Sequence, residues 1–540
     1  MKRSLALILA LVMILSVLAG CVKSNTPDST TPDTTDTSTG IENTDTDSVG
    51  NNNNDEESVE QLDLVRIGVT SWPANLDPVT KMGKTCTRWQ TQIYDTLLYA
   101  LNDGTVSSYI CESWEMIDDL TAEFKLKEGI TFHNGYPLTA EDIKYSIDRV
   151  LFDESGYVDP NVTSVINTIE NVEVVDELAL RITTKAVDPI LFDRLGCYTG
   201  VYIVSKQYME EVGTETFGVS PVGTGPYKVD SIAPENMMLS YYEGYYGEAP
   251  IAKQMEYRYI AEETALVTGL ITGEIDVAPD LSPTSAAMLK AQAPNIQVLN
   301  AASSTGHLLR FKTKDSHNDD KLLRQALSLA IDRELLVQTL WEGYASVPNG
   351  YNYKDFGQYY IEDYPNYEYN LDKAKELLAQ SSYNGEVISF QLIPGYYILG
   401  AEAAEAIVNM WKQIGVNAQV EYVEAIKPAT IVDMANWSNG LRFSDPLGGM
   451  WSMWGEGTAV QKDLWDAPER FNELGHLIET ETNVEQRNAY YREMMEIWDD
   501  EVPGIILYCP DAIWALSEDL NWSYKSGRAF NFRADYLTLS

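Results

Sequence analysis

The stretch SYICESWEMIDDLTAEFKLKEGITFHNGYPLTAEDIKYSIDRV, residues 108–150, contains the pattern that decides the fold. Phe124 and Leu126 alternate with polar neighbours in AEFKLK, which predicts a strand. Asn134-Gly135 follows a second short β-type run, ITF, and this dipeptide readily adopts the positive φ of a tight turn. The first half of the stretch therefore predicts short strands and a tight turn.

The second half of the stretch predicts a helix. Thr139 is followed by Asp142 at the spacing of a capping box, in which each side chain bonds the backbone of the other residue. The residues that follow place an apolar stripe on one helical face, formed by Ile143, Ile147, Val150 and Leu151. None of these features carries chemistry, so we interpret the whole stretch as a compact αβ scaffold.

The same stretch resembles the solute-binding proteins of bacterial ABC importers, in the large peptide/nickel-type family that includes dipeptide- and oligopeptide-binding lipoproteins. The segments that match the family pattern are, in order, Ser113-Trp114, Asp118-Asp119, Phe132 to Gly135, Pro137 to Ala140 and Ser146 to Arg149. Asn134 stands where the family more often has Asp, and a glycine is missing after Asp119. Further matching segments, among them RQALSLAIDRE and NLDKAKELLAQSSY, extend the resemblance from about Leu62 to Tyr536.

The resemblance implies an α/β fold, a two-lobed periplasmic-binding-protein clamp of type II, in the large peptide-binding class with an extra subdomain. The segments that we expect are 1–21, a lipoprotein signal peptide and lipobox; 22–61, a disordered Thr/Asp/Asn-rich tether; 62–305, lobe I, with an inserted subdomain at 108–221; 306–504, lobe II; and 505–540, the return to lobe I. The chain then crosses between the lobes twice, as a hinge around a central ligand requires.

Composition narrows the class of protein. A chain of 540 residues is too long for one core, so more than one domain is expected. The net charge of −43 repels nucleic acid and anionic lipid, so neither is expected as a direct ligand. The composition is typical of a soluble, exported protein.

The first residues predict export and lipid anchoring. Lys2 and Arg3 precede an apolar run that is shorter than the roughly 20 residues of a membrane-spanning helix. The run ends in Leu18-Ala19-Gly20-Cys21, which looks like a bacterial lipobox, with Cys21 as the lipidated first residue of the mature protein. A plain signal peptide with a chance cysteine is the alternative.

The later cysteines show no metal-binding spacing. Cys86, Cys111, Cys197 and Cys509 form no CxxC motif, and we expect buried thiols, although an even number would also allow disulfides. The histidines are far apart in sequence, and no HExxH, GxSxG or Walker A string occurs. The sequence therefore predicts no catalytic residues, no metal site and no cofactor, and the protein is not expected to be an enzyme.

Two segments in the second half of the chain have a helical pattern. KLLRQALSLAIDRELLVQTLWEG, from Lys321, predicts one long helix that buries Leu323 and Leu327. NLDKAKELLAQ predicts a helix with Asn370 at its N-cap. Both patterns are typical of helices that pack against a hydrophobic core.

The stretch 434–456, MANWSNGLRFSDPLGGMWSMWGE, carries the candidate ligand-binding residues. Trp437, Trp451 and Trp454 offer large aromatic surfaces of the kind that line ligand clefts, although they could equally pack lobe II. In peptide-binding members of the family an aspartate four residues before the Asp-Pro proline holds the α-amino group of the peptide. Arg442 stands at that position here, and a cation cannot pair with an ammonium group.

Two alternatives follow from Arg442. Either the loop aligns differently and Asp445 holds the amino group, or the ligand is not a peptide with a free amino terminus. If Arg442 lines the cleft, it favours an anionic group of the ligand; otherwise it bridges to one of the many surface carboxylates.

The function that these observations predict is that of an extracytoplasmic solute-binding lipoprotein of an ABC importer. It would capture peptides by lobe closure and deliver them to a permease and its ATPase subunits, as a monomer held to the cell membrane by its lipid alone. One alternative is an oligosaccharide-binding import lipoprotein of the same fold. The other, from a different class, is a surface carbohydrate-processing enzyme or adhesion module.

Overall fold

The computed structural model describes residues 61–81, 83, 85–101, 105–198, 200–523, 531–534 and 536–540. The predicted signal peptide, the lipobox cysteine Cys21 and the tether up to residue 60 lie outside the described residues. Within the described part, no helix is both long enough and apolar enough to cross a membrane.

The described residues form both strands and helices. The strands are β1 Leu62–Val69, β2 Tyr99–Ala100, β3 Val106–Ser107, β4 Cys111–Met116, β5 Thr121–Leu126, β6 Ile169–Asp176, β7 Ala179–Thr184, β8 Tyr227–Ala233, β9 Asn236–Tyr241, β10 Ala252–Tyr259, β11 Val277–Pro279, β12 Gln297–Ala301, β13 Thr305–Phe311, β14 Ala345–Ser346, β15 Ile388–Leu392, β16 Ala418–Tyr422, β17 Met434–Gly440, β18 Gly504–Pro510, β19 Ala512–Leu516, β20 Leu520–Trp522 and β21 Leu537–Leu539.

The helices are α1 Thr87–Ile93, α2 Ala140–Leu151, α3 Pro160–Ile166, α4 Leu191–Leu195, α5 Lys206–Phe217, α6 Glu263–Thr272, α7 Pro283–Gln292, α8 Lys321–Leu329, α9 Arg333–Leu340, α10 Leu371–Gln380, α11 Gly400–Lys412, α12 Ser452–Trp454, α13 Ala459–Asp463, α14 Glu469–Thr480 and α15 Val484–Glu501.

Two large mixed sheets organise the described chain. The first has seven strands in the order β12-β19-β11-β1-β10-β9-β8, and the second has six in the order β14-β18-β13-β17-β15-β16. In the second sheet β13 is antiparallel to both β17 and β18. Side chains alternate between the faces of β13. Leu309 and Phe311 pack with residues of α8, α9 and α11, whereas Leu308 belongs to a different hydrophobic cluster on the opposite face.

A smaller four-stranded sheet, in the order β4-β5-β7-β6, lies within the stretch predicted as an inserted subdomain. Its local structure confirms the sequence patterns. Phe124 and Leu126 are buried in β5. Asp142 Oδ2 accepts hydrogen bonds from the backbone nitrogen and the hydroxyl of Thr139, which forms the predicted capping box. Gly135 has a φ of 85°, as the predicted tight turn requires.

The chain passes between the two large sheets twice. Residues 302–304 join β12 to β13, and Asp511 alone joins β18 to β19. The division into lobes at the predicted residues stays a prediction. Because β18 pairs with β13 and β14 in the six-stranded sheet, we propose that the second crossing lies at Asp511 and not at residue 505.

The prediction of one long helix from Lys321 is wrong. The structure has two helices, α8 and α9, because the Asp332 carboxylate accepts a hydrogen bond from Leu335 N and so caps a new helix start. The predicted N-cap at Asn370 is confirmed, since its side chain accepts from Lys373 N.

The expectation of buried thiols is confirmed. Cys86, Cys111, Cys197 and Cys509 are all buried, and none of them forms a disulfide. Among the described residues, no group of three or more His, Cys, Asp or Glu side chains is arranged to hold a metal ion.

Candidate functional site

A cavity of about 210 Å³ lies where the chain crosses between the two large sheets. One side is formed by residues that follow strands of the seven-stranded sheet, including Asp280 after β11. The other side is formed by residues of the six-stranded sheet and its loops, including His307 on β13 and Tyr397 after β15. Asp511, the residue of the second crossing, completes the lining. The position at both crossings makes this cavity the candidate ligand site.

The six-stranded sheet contributes an aromatic wall. The ring of His307 lies 4.9 Å from that of Tyr397, 6.2 Å from that of Trp341 and 5.6 Å from that of Tyr508, measured between centroids. Burial lowers the pKa of His307 to about 4, so the imidazole is neutral at neutral pH. Tyr397 is held in place because Ser438 Oγ and its hydroxyl are 3.1 Å apart. The wall is therefore a neutral aromatic surface.

The opposite side of the cavity carries carboxylates. Asp280 adopts a φ of 55°, which is uncommon for a residue other than glycine, and forms an ion pair with the buried Arg88. Asp511 accepts a hydrogen bond from Asn300 Nδ2 at 2.6 Å, and burial raises the pKa of its carboxyl. Neutral aromatic surface opposite carboxylates suits a ligand with an apolar body and a cationic group.

Arg442, one of the predicted ligand-binding residues, lies in a contact between the two halves of the described chain. Its Nη1 donates to Ser164 Oγ and its Nη2 donates to Asn161 Oδ1 at 3.2 Å. The backbone oxygen of Arg442 also accepts from Cys197 Sγ at 3.1 Å. All three partners come from the stretch predicted as the inserted subdomain. The partners of the guanidinium are thus polar but uncharged, and the contact predicted with ligand stays a prediction.

Asp445, the alternative candidate, is wholly buried. Arg487 donates to it through Nη1 at 2.5 Å and through Nη2 at 3.1 Å, and Leu447 N donates to Oδ1 at 2.9 Å. Both carboxylate oxygens are therefore occupied in this structure. A ligand contact for Asp445 also stays a prediction.

The three candidate tryptophans lie in different environments. Trp437 is half-buried on β17, with the guanidinium of Arg310 3.7 Å above its ring. Trp451 is half-buried as well and donates from Nε1 to Glu479 at 2.8 Å. Trp454 is wholly buried, 5.4 Å from Trp498 between ring centroids. Their predicted role in ligand binding stays a prediction, and none of them lines the cavity at the crossings.

The residues that line the cavity are not among those that the sequence pattern predicts to bind ligand. His307 is one of the histidines that are far apart in sequence, but it lies in TGHLLRF, directly after the first crossing. Tyr396-Tyr397 follows Pro394-Gly395, a loop-forming dipeptide that could have marked an exposed aromatic loop. No local signal in the sequence points to Asp280 or Asp511.

Comparison with known proteins gives consistent results. The family model "Bacterial extracellular solute-binding proteins, family 5 Middle" matches residues 105–461. Heme-binding protein A of Haemophilus influenzae is 26% identical over 459 residues, which cover 77% of this chain and 81% of the relative. The glutathione-binding protein GsiB of Shigella flexneri is 24% identical over 372 residues, covering 68% and 71%.

A solved structure is similar over nearly the whole described chain. The periplasmic binding protein DppA from Helicobacter pylori, in complex with the peptide STSA, superposes with a TM-score of 0.78 at 20% identity. The superposition covers 89% of this chain and 98% of that protein. The likeness shows that the two proteins share a two-lobed α/β fold.

Proposed function

The chain belongs to the bacterial extracellular solute-binding proteins of family 5, and from this premise we propose that it captures peptides by closing its lobes and delivers them to an ABC permease. The fold is the predicted type II, two-lobed architecture, which the comparison with DppA confirms. The relatives are substrate-binding proteins and not enzymes, which confirms the prediction of a protein without catalytic activity and removes the carbohydrate-processing alternative.

The observation that carries the proposal is the cavity at the two crossings, lined from both large sheets. A ligand in this position touches both lobes at once. It therefore makes more contacts when the lobes are closed, and such differential contact is what shifts an open–closed equilibrium. The bonds from Arg442 to Ser164 and Asn161 are of the kind that opening would break.

A peptide fits the chemistry of this cavity. Its aromatic wall can pack against apolar side chains, and Asp511 offers a carboxylate to an ammonium group. Asp511 would then do what the aspartate of peptide-binding relatives does and what Arg442 cannot do. The relatives support the class of ligand, since GsiB is named for glutathione and DppA was solved with a peptide.

An oligosaccharide is the second candidate ligand. The observation that favours it is Tyr396, whose side chain is 65% exposed although it lines the cavity. An exposed aromatic ring at the edge of a cleft could stack on a sugar face. Identification of the ligand that the purified protein retains separates the two candidates.

We expect peptide binding to compact the mature protein, because closure brings the lobes together. Native mass spectrometry of the purified protein identifies the retained ligand, and small-angle scattering then measures the radius of gyration with and without it. The expected result is a smaller radius at saturation. An unchanged radius would contradict closure, and a retained sugar would favour the second candidate.

Asp511→Asn tests the role of the cavity carboxylate through its effect on the affinity for peptide. It removes a charge without changing size, so we expect affinity for a peptide with a free amino terminus to fall by about tenfold or more. Asp466→Asn is the matched control, because Asp466 is 84% exposed and forms an ion pair with Lys314. Equal affinity of the two variants for the peptide would show that Asp511 does not bind the ligand.

We further propose that the protein is a lipoprotein on the extracytoplasmic side of the cell membrane, acting as a monomer. The support is the Leu-Ala-Gly-Cys string at residues 18–21. Cys21→Ala is expected to release the protein into the medium, because acyl chains contribute about 0.8 kcal/mol of membrane affinity per buried CH₂. Labelling cells with a radioactive fatty acid checks this, with Ser24→Ala as a control that should stay labelled. A wild-type protein without label would contradict the proposal.

A further inference from the structure

Arg310 is a buried cation in the middle of β13. Its side chain is 3% exposed, and its neighbours in the strand, Leu309 and Phe311, are core residues. Among the described residues, none accepts a hydrogen bond from its Nε or its Nη2. Burial lowers the pKa of Arg310 to about 10, and the nearby phenol groups of Tyr397 and Tyr351 oppose this shift only in part.

Other buried arginines of the described chain have partners. Arg324 donates to the carbonyl oxygens of Asn318 and Glu501 at 2.6 Å. Arg533 forms an ion pair with Asp95 at 2.8 Å. Arg310 differs because its contact is the ring of Trp437, 3.7 Å from the guanidinium. An aromatic face offsets only part of the cost of burying a charge.

The two unpartnered nitrogens form one edge of the guanidinium. In this chain the same pair of atoms binds carboxylates elsewhere. Arg66 uses Nε and Nη2 to hold the two oxygens of Asp276 at 2.9 and 2.7 Å. Arg470 holds Glu493 in the same way, at 2.8 and 2.9 Å. The unpartnered edge of Arg310 therefore has the geometry that takes a carboxylate by two parallel bonds.

Arg310 also lies on the face of the six-stranded sheet that points away from α8, α9 and α11. Cross-strand pairing of Leu308 with Trp437, and of Arg310 with Ala435, places these residues on one face. Leu308 and Ala435 belong to a hydrophobic cluster that contains residues of predicted lobe II, such as Tyr351, and residues of the predicted inserted subdomain, such as Ile203. Separation of the lobes would withdraw the residues of this cluster that come from the inserted subdomain. Trp437 is half-buried, so its ring lies at the edge of the covered region.

We propose that Arg310, backed by Trp437, is a subsite that binds a carboxylate of the captured ligand. The proposal rests on the proposed function, since lobe opening is what gives a ligand access. It also specifies the chemical class of the ligand. The ligand has at least one carboxylate, as does a peptide with a free carboxyl terminus or an acidic side chain. Planar, bidentate recognition makes arginine suited to this group, whereas lysine would act only as a point charge.

The test uses pairs of peptides that differ by one carboxylate. Ala-Ala-Ala is compared with its carboxyl-terminal amide, and Ala-Glu-Ala is compared with Ala-Gln-Ala, by calorimetry on the mature protein. Wild type is expected to bind the carboxylate member of one pair about tenfold or more tightly. The pair that shows the preference identifies the source of the carboxylate. Arg310→Met is expected to abolish the preference, Arg310→Lys to retain part of it, and the exposed control Arg470→Met to leave it unchanged.

A second measurement needs no ligand. Replacing an arginine that stabilises the fold lowers the stability of the protein. Replacing a buried cation that serves ligand binding leaves that stability unchanged or raises it. Arg310→Met is therefore expected to leave the thermal unfolding midpoint of the ligand-free protein unchanged or to raise it, by about 2 °C. A lowered midpoint would assign Arg310 to the fold and reject the subsite.

The outcomes separate the two proposals. Equal affinity for both members of each pair rejects the subsite and leaves peptide capture standing. If none of the peptides binds, peptide capture is rejected, and the unfolding midpoint of Arg310→Met decides the subsite. A preference that persists in Arg310→Met would place the carboxylate elsewhere and would also overturn the proposal.

Discussion

Replacing Asp445 with alanine should lower the free energy of unfolding by about 3–5 kcal/mol, because it leaves the guanidinium of Arg487 buried without its counter-charge. The two side chains are each 1% exposed, and Arg487 Nη1 lies 2.5 Å from Asp445 Oδ2. Arg487 has further partners, the carbonyl oxygen of Ile478 and the ring of Tyr359, which fix it in place. It cannot turn to solvent when the carboxylate is lost. Urea unfolding at neutral pH measures the change.

Two comparisons control this prediction. Asp466→Ala breaks an ion pair with Lys314 of similar length, 2.7 Å, but Asp466 is 84% exposed, so no measurable change is expected. The double variant Asp445→Leu/Arg487→Met removes both charges together and should recover much of the loss. If Asp445→Ala were as stable as wild type but failed to bind peptide, the residue would belong to the ligand site and not to the core.

Trp454→Ala should also cost about 3–5 kcal/mol, because it leaves a large cavity in a closely packed aromatic cluster. The ring of Trp454 is 0% exposed and lies 6.0 Å from that of Trp465 and 5.4 Å from that of Trp498. These rings meet edge to face, an arrangement that the surrounding residues cannot rebuild around an alanine. The same unfolding experiment measures the loss.

Trp437→Ala is the matched control for Trp454→Ala, since it removes the same side chain from a half-buried position. Its cost in stability should be clearly smaller, while its effect on binding of a carboxylate ligand should be larger. Equal stability losses in the two variants would show that Trp437 is as much a part of the core as Trp454. The comparison thus separates two residues that the sequence could not tell apart.

Local patterns determined much of the fold. The capping box of Thr139 and Asp142, the turn at Gly135 and the alternation of Phe124 and Leu126 involve residues that are close together in the chain. Their hydrogen bonds and buried faces are set by helical and strand periodicity, which is visible in the sequence. The helix break at Asp332, which the sequence pattern does not predict, also depends on residues that are close together in the chain. An aspartate within an apolar helical pattern can either continue the helix or act as the N-cap of a new one. Periodicity alone does not show which of the two occurs.

Tertiary structure decided the candidate site. The tryptophans of 434–456 predict a ligand-binding segment, but the structure buries Trp454 and Asp445, and Arg442 donates to Ser164, 278 residues earlier in the chain. The cavity forms because Asp280, His307 and Asp511 meet where two sheets join. Whether the charge of Arg310 has a partner depends in turn on which strands flank β13. Sequence periodicity fixes which face of a strand is apolar, but pairing between distant strands fixes which side chains meet across it, and that pairing has no local signature.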